Sequence, residues 1–319
     1  MDSLPSFGTA IQDVLVPTIK TFAPELVRNK ESILSIPRTT YSYGTHPRQQ
    51  LDVYSSPDSP ETSPILVFLY GGGLIHGDKI IAPVPEGLVY HNLGTFFARQ
   101  GYTTIIVDYR RVNNPETGTG EDAVFPSGGQ DVGAALQWLE GFLEKSKSGQ
   151  REVFLMGNSA GGVHVSTYLL APQFAEQRRG ILGGTGKVLL KGGVLLSVPL
   201  HFEQMLEARA STLNTYFGPQ EETERKCPYG LLKSFDGETP RLLVLVAELD
   251  PEDEIVSTNR DFYKLAKEKL GAENVDWIDM ESHNHISPPV ALCTGDARGE
   301  KWGHDIVTWM KRSVKILNV

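Results

Sequence analysis

The sequence has few cysteines and no long apolar run. Only Cys227 and Cys293 occur among 319 residues, too few for a disulfide framework and without the spacing of a metal site. Both are expected to be free thiols. Apolar runs such as Ile65 to Tyr70 and Leu242 to Ala247 fall far short of the roughly 20 residues that a membrane-spanning helix needs. They are predicted to be buried strands instead.

Blocks of like charge are also missing. The net charge is −9, with acidic and basic residues interspersed, which argues against a nucleic-acid or anionic-membrane partner. The first residues, MDSLPSFGTA, lack the basic region and apolar run of a secretion signal. These features predict a cytoplasmic protein that binds a small molecule rather than nucleic acid or membrane. The oligomeric state is left open.

Short β-branched runs alternate with stretches of helical periodicity, the pattern of a mostly parallel sheet covered by helices on both faces. This α/β pattern predicts one domain over residues 1–319. Strands are predicted at Gln50–Tyr54, Ile65–Tyr70, Thr103–Asp108, Glu152–Met156, Val194–Val198, Leu242–Ala247 and Val275–Met280. Helices are predicted at Leu88–Gln100, Gln130–Lys145, Ala160–Leu170, Ile255–Leu270 and Trp302–Ile316.

Two segments fall outside this alternation. In Leu4–Arg28, apolar residues have helical spacing, but Pro17 and Pro24 predict interrupted, short amphipathic pieces. His201–Phe235 is an insertion between two predicted strands. Residues 1–38 and 201–235 are therefore expected to supply a small helical cap over the strand ends, where α/β enzymes place their sites. The alternative is that both segments only cover core surface.

The best candidate nucleophile is Ser159. Gly157-Asn158-Ser159-Ala160-Gly161 follows a predicted strand and opens a predicted helix. Glycines beside a serine on a sharp strand-to-helix turn leave room for its strained backbone, and the helix N-terminus favours developing negative charge. A merely glycine-rich helix start is the structural alternative.

The triple glycine of Tyr70-Gly71-Gly72-Gly73 follows another predicted strand. Bare backbone N–H groups in such a loop can approach a substrate oxygen. In α/β enzymes whose nucleophile stands on such a turn, an oxyanion hole can use a loop of this kind together with the N–H after the nucleophile. Gly72, Gly73 and Ala160 are therefore the candidate donors. A phosphate-binding loop would need glycine patterns that are absent here.

Several motifs together resemble the α/β-hydrolase fold family, in particular the carboxylesterases and hormone-sensitive-lipase-like esterases. YGGGLIHGDK is similar to their oxyanion loop, GNSAGG to their nucleophile turn, and VDYRRV with FPSGGQD and LQWL to the segment between them. YGTHPRQQLDVY resembles the entry strands of related small esterases and kynurenine formamidase-like enzymes. Two departures stand out: Tyr70 replaces the usual histidine of the first group, and the His-Gly-Gly-Tyr-Trp pattern of the second is absent. The resemblance implies the fold and chemistry, not a substrate class.

A serine nucleophile requires a histidine base and a carboxylate that orients it, and in this fold the chain order is serine, acid, histidine. The resemblance implies Asp250 as the acid, because Asp250-Pro251 is similar to the family's acid loop. Its alternative is Asp253, with Asp250 then acting as a helix cap. The resemblance also implies His285 as the base, three residues beyond Ser282, and His283 remains the competitor.

The other polar candidates are expected to be structural. Asp108, Tyr109 and Arg110, like Asp131, are predicted to form a buried hydrogen-bonded network. His304 is expected to be exposed or to cap the start of the last helix. His76 and His164 are assigned no role.

The combination predicts a serine hydrolase that cleaves a carboxylic ester through an acyl-enzyme, with no cofactor and no metal. Two alternatives remain at this level. The same three residues could serve thioester release, acyl transfer or cyclisation in a biosynthetic pathway. A non-catalytic hydrolase-like receptor is the other, although such proteins typically lose one of the three residues.

Overall fold

The computed structural model describes residues 1–203 and 207–316. Over these residues a single sheet of eight strands has the order β1-β2-β4-β3-β5-β6-β7-β8. The strands are β1 (Arg38–Ser42), β2 (Gln50–Tyr54), β3 (Ile65–Leu69), β4 (Thr103–Val107), β5 (Arg151–Asn158), β6 (Val188–Leu196), β7 (Arg241–Leu249) and β8 (Val275–Asn284). β2 pairs antiparallel with both β1 and β4, and the remaining pairs are parallel. The predicted α/β class is confirmed.

All seven predicted strands form, but some of their ends differ. β6 begins six residues before its predicted start at Val194, because Lys191, Gly192 and Gly193 hide the first half of the strand from a hydrophobicity pattern. β1 was not predicted. Its residues are mostly exposed and polar, since it is an edge strand in which Tyr41 alone is partly covered, by Trp138 and Phe142.

The helices are α1 (Ile11–Arg28), α2 (Lys30–Leu34), α3 (Leu88–Arg99), α4 (Ser127–Lys145), α5 (Ala160–Leu170), α6 (Ala175–Leu182), α7 (Glu207–Phe217), α8 (Gln220–Lys226), α9 (Pro228–Ser234), α10 (Ser257–Leu270), α11 (Ser287–Ala291) and α12 (Ala297–Ile316). α3 and α12 pack together on one face of the sheet, and α4 and α5 pack together on the other. Val132, Leu136 and Leu139 of α4 are buried. Both faces of the sheet's centre are thereby covered.

The prediction that prolines interrupt the N-terminal segment was wrong. α1 runs unbroken through Pro17 and Pro24. Each proline removes one backbone hydrogen bond, to the carbonyl four residues earlier, and those carbonyls belong to Asp13 and Lys20, which are exposed. Water can satisfy them there. The opposite side of the helix, marked by Val14, Thr18, Phe22 and Leu26, is continuously buried and holds the helix together.

The second unusual segment is helical as well. Within 201–235 the structure contains α7, α8 and α9, while residues 204–206 of this predicted cap element lie outside the described residues. No helix in the described part of the chain is both long and apolar enough to cross a membrane. Cys227 and Cys293 are free thiols, as predicted.

Candidate active site

Five adjacent parallel strands bring the candidate residues to one edge of the sheet. Gly71 to Gly73 follow β3, Ser159 follows β5, Ser197 follows β6, Asp250 follows β7 and His285 follows β8. In open parallel sheets the carboxyl ends of the strands form the crevice in which ligands bind. The order of the strands therefore brings residues that lie far apart in the chain together at this edge of the sheet.

Ser159 occupies a sharp turn between β5 and α5. Its backbone angles are φ 51° and ψ −122°, a region that only glycine adopts without strain. The backbone of this turn packs closely against the end of β3. A side chain on Gly161 would overlap the backbone carbonyl of Leu69. Ser159 is thus held at the N-terminus of α5, where the helix dipole favours negative charge.

A hydrogen-bonded chain links three of the predicted residues. His285 Nε2 lies 3.0 Å from Ser159 Oγ, and His285 Nδ1 lies 2.7 Å from Asp250 Oδ1. All three residues are buried. One imidazole thus contacts the hydroxyl through one nitrogen and the carboxylate through the other, the geometry that general-base activation of a serine requires.

The second carboxylate oxygen of Asp250 is also bound. Oδ2 accepts hydrogen bonds from Ser197 Oγ at 2.6 Å and from the backbone N–H of Ala247 at 2.8 Å. Sequence reasoning missed Ser197. The predicted strand Val194–Val198 included Ser197, whereas the strand ends at Leu196, so no sequence signal indicated that Ser197 lies at the edge of the sheet.

The two competing residues lie elsewhere. Asp253 is exposed in the single helical turn after Pro251, and among the described residues the hydrogen bonds of the His285 ring go to Ser159 and Asp250. His283 lies in β8, which extends past its predicted end at Met280, and its Nδ1 contacts Ser287 Oγ at 2.8 Å. Burial lowers the pKa of His283 to about 4. It is therefore a neutral, packed residue of the strand.

The three residues predicted to form the oxyanion hole line the same cavity as Ser159. Gly71 is close enough that a Cβ on it would lie 3.0 Å from the Cβ of Ser159. The backbone N–H groups of Gly72, Gly73 and Ala160 make no hydrogen bond within the part of the chain described. Gly73 has φ 61°, and a Cβ there would meet open space. The loop therefore borders the cavity beside the serine, and its N–H groups have no partner among the described residues.

A buried polar network holds both ends of this glycine loop. Asp108 Oδ1 accepts from Tyr70 Oη at 2.5 Å and from the Lys79 backbone N–H at 3.0 Å. Arg48 donates to Tyr70 Oη at 2.6 Å and to the Gly77 carbonyl at 3.2 Å. Tyr70, which departs from the family histidine, thus serves as the anchor of the loop.

The remaining predicted network residues and histidines are structural too. Asp131 accepts two hydrogen bonds from Arg110 and one from Gln49. Burial lowers the pKa of His164 to about 3, and its ring packs edge-on against Tyr109. His304 is exposed, with its ring against Phe96. It lies two turns inside α12, not at the start of the helix as predicted, because the helix begins earlier, at Ala297.

A cavity of about 840 Å³ opens onto Ser159 and His285. Its wall is largely apolar and comes from both unusual segments as well as from the glycine loop. The apolar residues include Leu15 and Ile19 of α1, Leu213 of α7, Leu74, Ile81 and Val290. Arg111 and Arg209 also line it, but each is paired with a carboxylate, Glu121 at 2.8 Å and Glu254 at 2.9 Å. The site therefore suits a bulky, uncharged ligand.

The fold together with this crevice at the carboxyl edge of the sheet is that of an α/β-hydrolase. The BD-FAE family model matches residues 51–177, which contain both the glycine loop and Ser159. The strands outside that range complete the sheet and carry Asp250 and His285.

Curated relatives match a similar part of the chain. A probable isoprenylcysteine alpha-carbonyl methylesterase of Arabidopsis thaliana is 31% identical over 45% of this chain and 30% of its own length. Esterase LipC of Mycobacterium tuberculosis is 30% identical over 39% of this chain and 27% of its own length. The chain therefore matches less than a third of either relative.

Solved esterase structures share the fold along nearly the whole chain. Esterase B from Lactobacillus Rhamnosis superposes with a TM-score of 0.66 at 18% identity, over 95% of this chain and 96% of that one. Carboxyl esterase 2 of Tuber melanosporum superposes with a TM-score of 0.61 at 18% identity, over 94% of this chain and 99% of that one. At such identities the similarity establishes the architecture.

Proposed function

We propose that this protein is a serine hydrolase that cleaves carboxylic esters. The observation that carries the proposal is the hydrogen-bonded chain from Ser159 through His285 to Asp250. The names of the similar proteins, a methylesterase and esterases, support the same reaction class. Serine hydrolysis of this kind needs no cofactor or metal.

The geometry suggests the roles of the three residues in two half-reactions. Ser159 Oγ attacks the ester carbonyl carbon while His285 Nε2 takes its proton. The resulting tetrahedral intermediate collapses, the alkoxide leaves with the proton from His285, and an acyl-enzyme remains. Water, deprotonated by His285, then attacks the acyl carbon, and the second tetrahedral intermediate collapses to release the carboxylic acid while His285 returns the proton to Ser159 Oγ. Throughout, Asp250 orients the imidazole and stabilises its positive form.

Negative charge on the carbonyl oxygen is proposed to be stabilised by the N–H groups of Gly72, Gly73 and Ala160. These donors are free among the described residues and belong to a loop and a helix start that the fold holds rigidly. Preorganised donors of this kind lower the barrier because they need no rearrangement when the charge develops. One such donor is typically worth roughly 10² to 10³ in kcat.

We further propose that α1 and the segment around α7 act as the cap that selects the substrate. Leu15 and Ile19 from α1 and Leu213 from α7 line the same cavity as Ser159. Because that lining is mainly apolar, the cap favours esters with a bulky apolar acyl or alcohol part. The cap would then decide specificity while the sheet edge carries out the chemistry.

The test is labelling with a fluorophosphonate, followed by kinetics on p-nitrophenyl esters of increasing chain length. Labelling is expected at Ser159 by peptide mass analysis, and Ser159→Ala should abolish it. Asp250→Asn should reduce kcat strongly, whereas Asp253→Asn, on the exposed turn nearby, is the matched control and should retain it. Labelling at another residue, or equal losses in the two carboxylate variants, would contradict the proposed roles.

A further inference from the structure

Two hydroxyl groups in the wall of the cavity have no protein partner. Tyr90 of α3 and Thr212 of α7 both line the cavity and are each 6% exposed. Within the described chain neither hydroxyl makes a hydrogen bond, and neither is among the atoms sealed inside the core. Other helical threonines, such as Thr167 and Thr215, donate to the carbonyl four residues earlier. Both free hydroxyls are therefore available to whatever fills the cavity.

A hydroxyl that faces a cavity needs water or a ligand as its partner, because an unpaired hydroxyl costs roughly 1 to 3 kcal/mol. Core positions normally avoid it by pairing or by losing the oxygen. A phenylalanine at position 90 would pack equally well, because the packing is made by the ring. The Tyr90 ring lies against the rings of Phe68 and Tyr70, with centroids 5.4 and 5.8 Å away. The oxygen adds nothing to that packing. The Tyr90 oxygen therefore acts on whatever occupies the cavity.

The ring packing also fixes where the hydroxyl lies. Stacking against Tyr70, itself anchored by Asp108, holds Tyr90 without help from its own oxygen. Burial raises the pKa of the Tyr90 phenol, so that it stays protonated and able to donate at neutral pH. A preorganised donor in an otherwise apolar wall is the usual means by which a pocket orients a ligand.

We propose that Tyr90 is a specificity-determining residue whose hydroxyl binds a neutral oxygen on the apolar part of the ester substrate, with Thr212 as a second polar contact. The substrate class is thus a bulky ester that carries a ketone, ether or hydroxyl oxygen apart from the ester group itself. An anionic group is disfavoured, because Arg111 and Arg209 are already paired with carboxylates. This inference rests on the proposed ester hydrolysis.

The experiment compares p-nitrophenyl esters of one chain length, about eight carbons, with analogues in which one methylene is replaced by a ketone at successive positions. Wild type is expected to prefer one of the keto esters. Tyr90→Phe should lower kcat/KM for that ester about tenfold, the size of one hydrogen bond, and leave the plain ester within about twofold. Tyr168→Phe is the matched control, because the Tyr168 hydroxyl is also unpartnered but is sealed in the core. It should change neither ester.

A binding measurement separates this inference from the proposed reaction. Calorimetry with Ser159→Ala, and with Ser159→Ala combined with Tyr90→Phe, gives the affinity of the same two esters without turnover. A tenfold loss of affinity that is confined to the keto ester would support the inference, whether or not the esters are hydrolysed. Absence of hydrolysis by the wild-type protein would contradict only the proposed function. An unchanged ratio in kinetics and in binding, or an equal loss for both esters, would overturn the role of Tyr90.

Discussion

The hydroxyl of Ser197 donates a 2.6 Å hydrogen bond to Oδ2 of Asp250, the carboxylate oxygen that does not face His285. Ser197 is fully buried, and its backbone has φ 48°. The Asp250 carboxylate is therefore held from two sides, by the imidazole and by Ser197 together with the Ala247 N–H. Its orientation depends on β6 as well as on its own loop.

Ser197→Ala is expected to reduce kcat roughly tenfold with little change in KM, because a freed carboxylate orients His285 less well. A hydrogen bond to a charged group contributes about 1.5 to 3 kcal/mol, of which only a part acts on the transition state. Steady-state kinetics on a p-nitrophenyl ester measure this. Ser166→Ala, which removes a buried hydroxyl from α5 that has no partner, should leave kcat unchanged. A kcat for Ser197→Ala equal to wild type would mean that the contact does not position Asp250.

The strained backbone of Ser159 predicts a difference between two inactive variants. Both Ser159→Ala and Ser159→Gly should lose about 10⁴ or more in kcat. At φ 51° and ψ −122° only glycine is free of strain, and strain of this kind costs of order 1 to 3 kcal/mol. Denaturant titration should therefore find Ser159→Gly more stable than Ser159→Ala by about 1 kcal/mol, after the greater chain entropy of glycine is deducted. If Ser159→Gly were less stable than Ser159→Ala, the backbone strain inferred at position 159 would be contradicted.

The glycines of the loop are expected to differ in their tolerance. A side chain on Gly72 would overlap the carbonyl oxygen of His76, whereas at Gly73 it would meet open space. Gly72→Ala should thus displace the loop and lower both kcat and thermal stability. Gly73→Ala carries only the cost of its φ of 61°, of order 1 kcal/mol, and should keep most of its stability. Equal melting temperatures for the two variants would contradict this ranking.

The two histidines of the last strand and its loop should behave differently. His285→Gln is expected to abolish activity and fluorophosphonate labelling, because it removes the nitrogen 3.0 Å from Ser159 Oγ. His283→Gln should keep kcat/KM within roughly tenfold, about 1.4 kcal/mol of transition-state stabilisation, since His283 contacts Ser287 instead. Severe, equal losses in two folded variants would show that His283 supports the base.

Stability should depend on pH through the same buried residue. The pKa of His283 is about 4 in the folded state and lies below its usual value of 6.5, so between these values only the unfolded chain takes up the proton. Its contribution is fully present above pH 6.5 and is lost as the pH falls toward 4, by up to about 1.4 kcal/mol per pH unit. The stability difference between wild type and His283→Gln should shrink over that range. A constant difference would contradict the assigned protonation.

Much of the fold could be predicted because its signals are local. Buried parallel strands such as β3 are continuously apolar, and α5 begins directly at the glycine-flanked serine. The errors arose where burial, rather than composition, decided the structure. The exposed edge strand β1 has no apolar pattern, and α1 continues through two prolines because tertiary packing of its buried side outweighs the lost hydrogen bonds.

The sequence by itself determined the turn around Ser159 and the glycine loop, since close backbone approach and positive φ restrict which residues can stand there. It restricted the acid and the base to two short segments. Only the tertiary structure brought His285, rather than His283, to Ser159, across 126 positions of the chain, and Ser197 to Asp250. The tertiary structure also placed the unpaired hydroxyl of Tyr90 in the apolar wall of the cavity. Such contacts depend on the order and register of the strands and on which side of each element faces the crevice, and no local pattern specifies these.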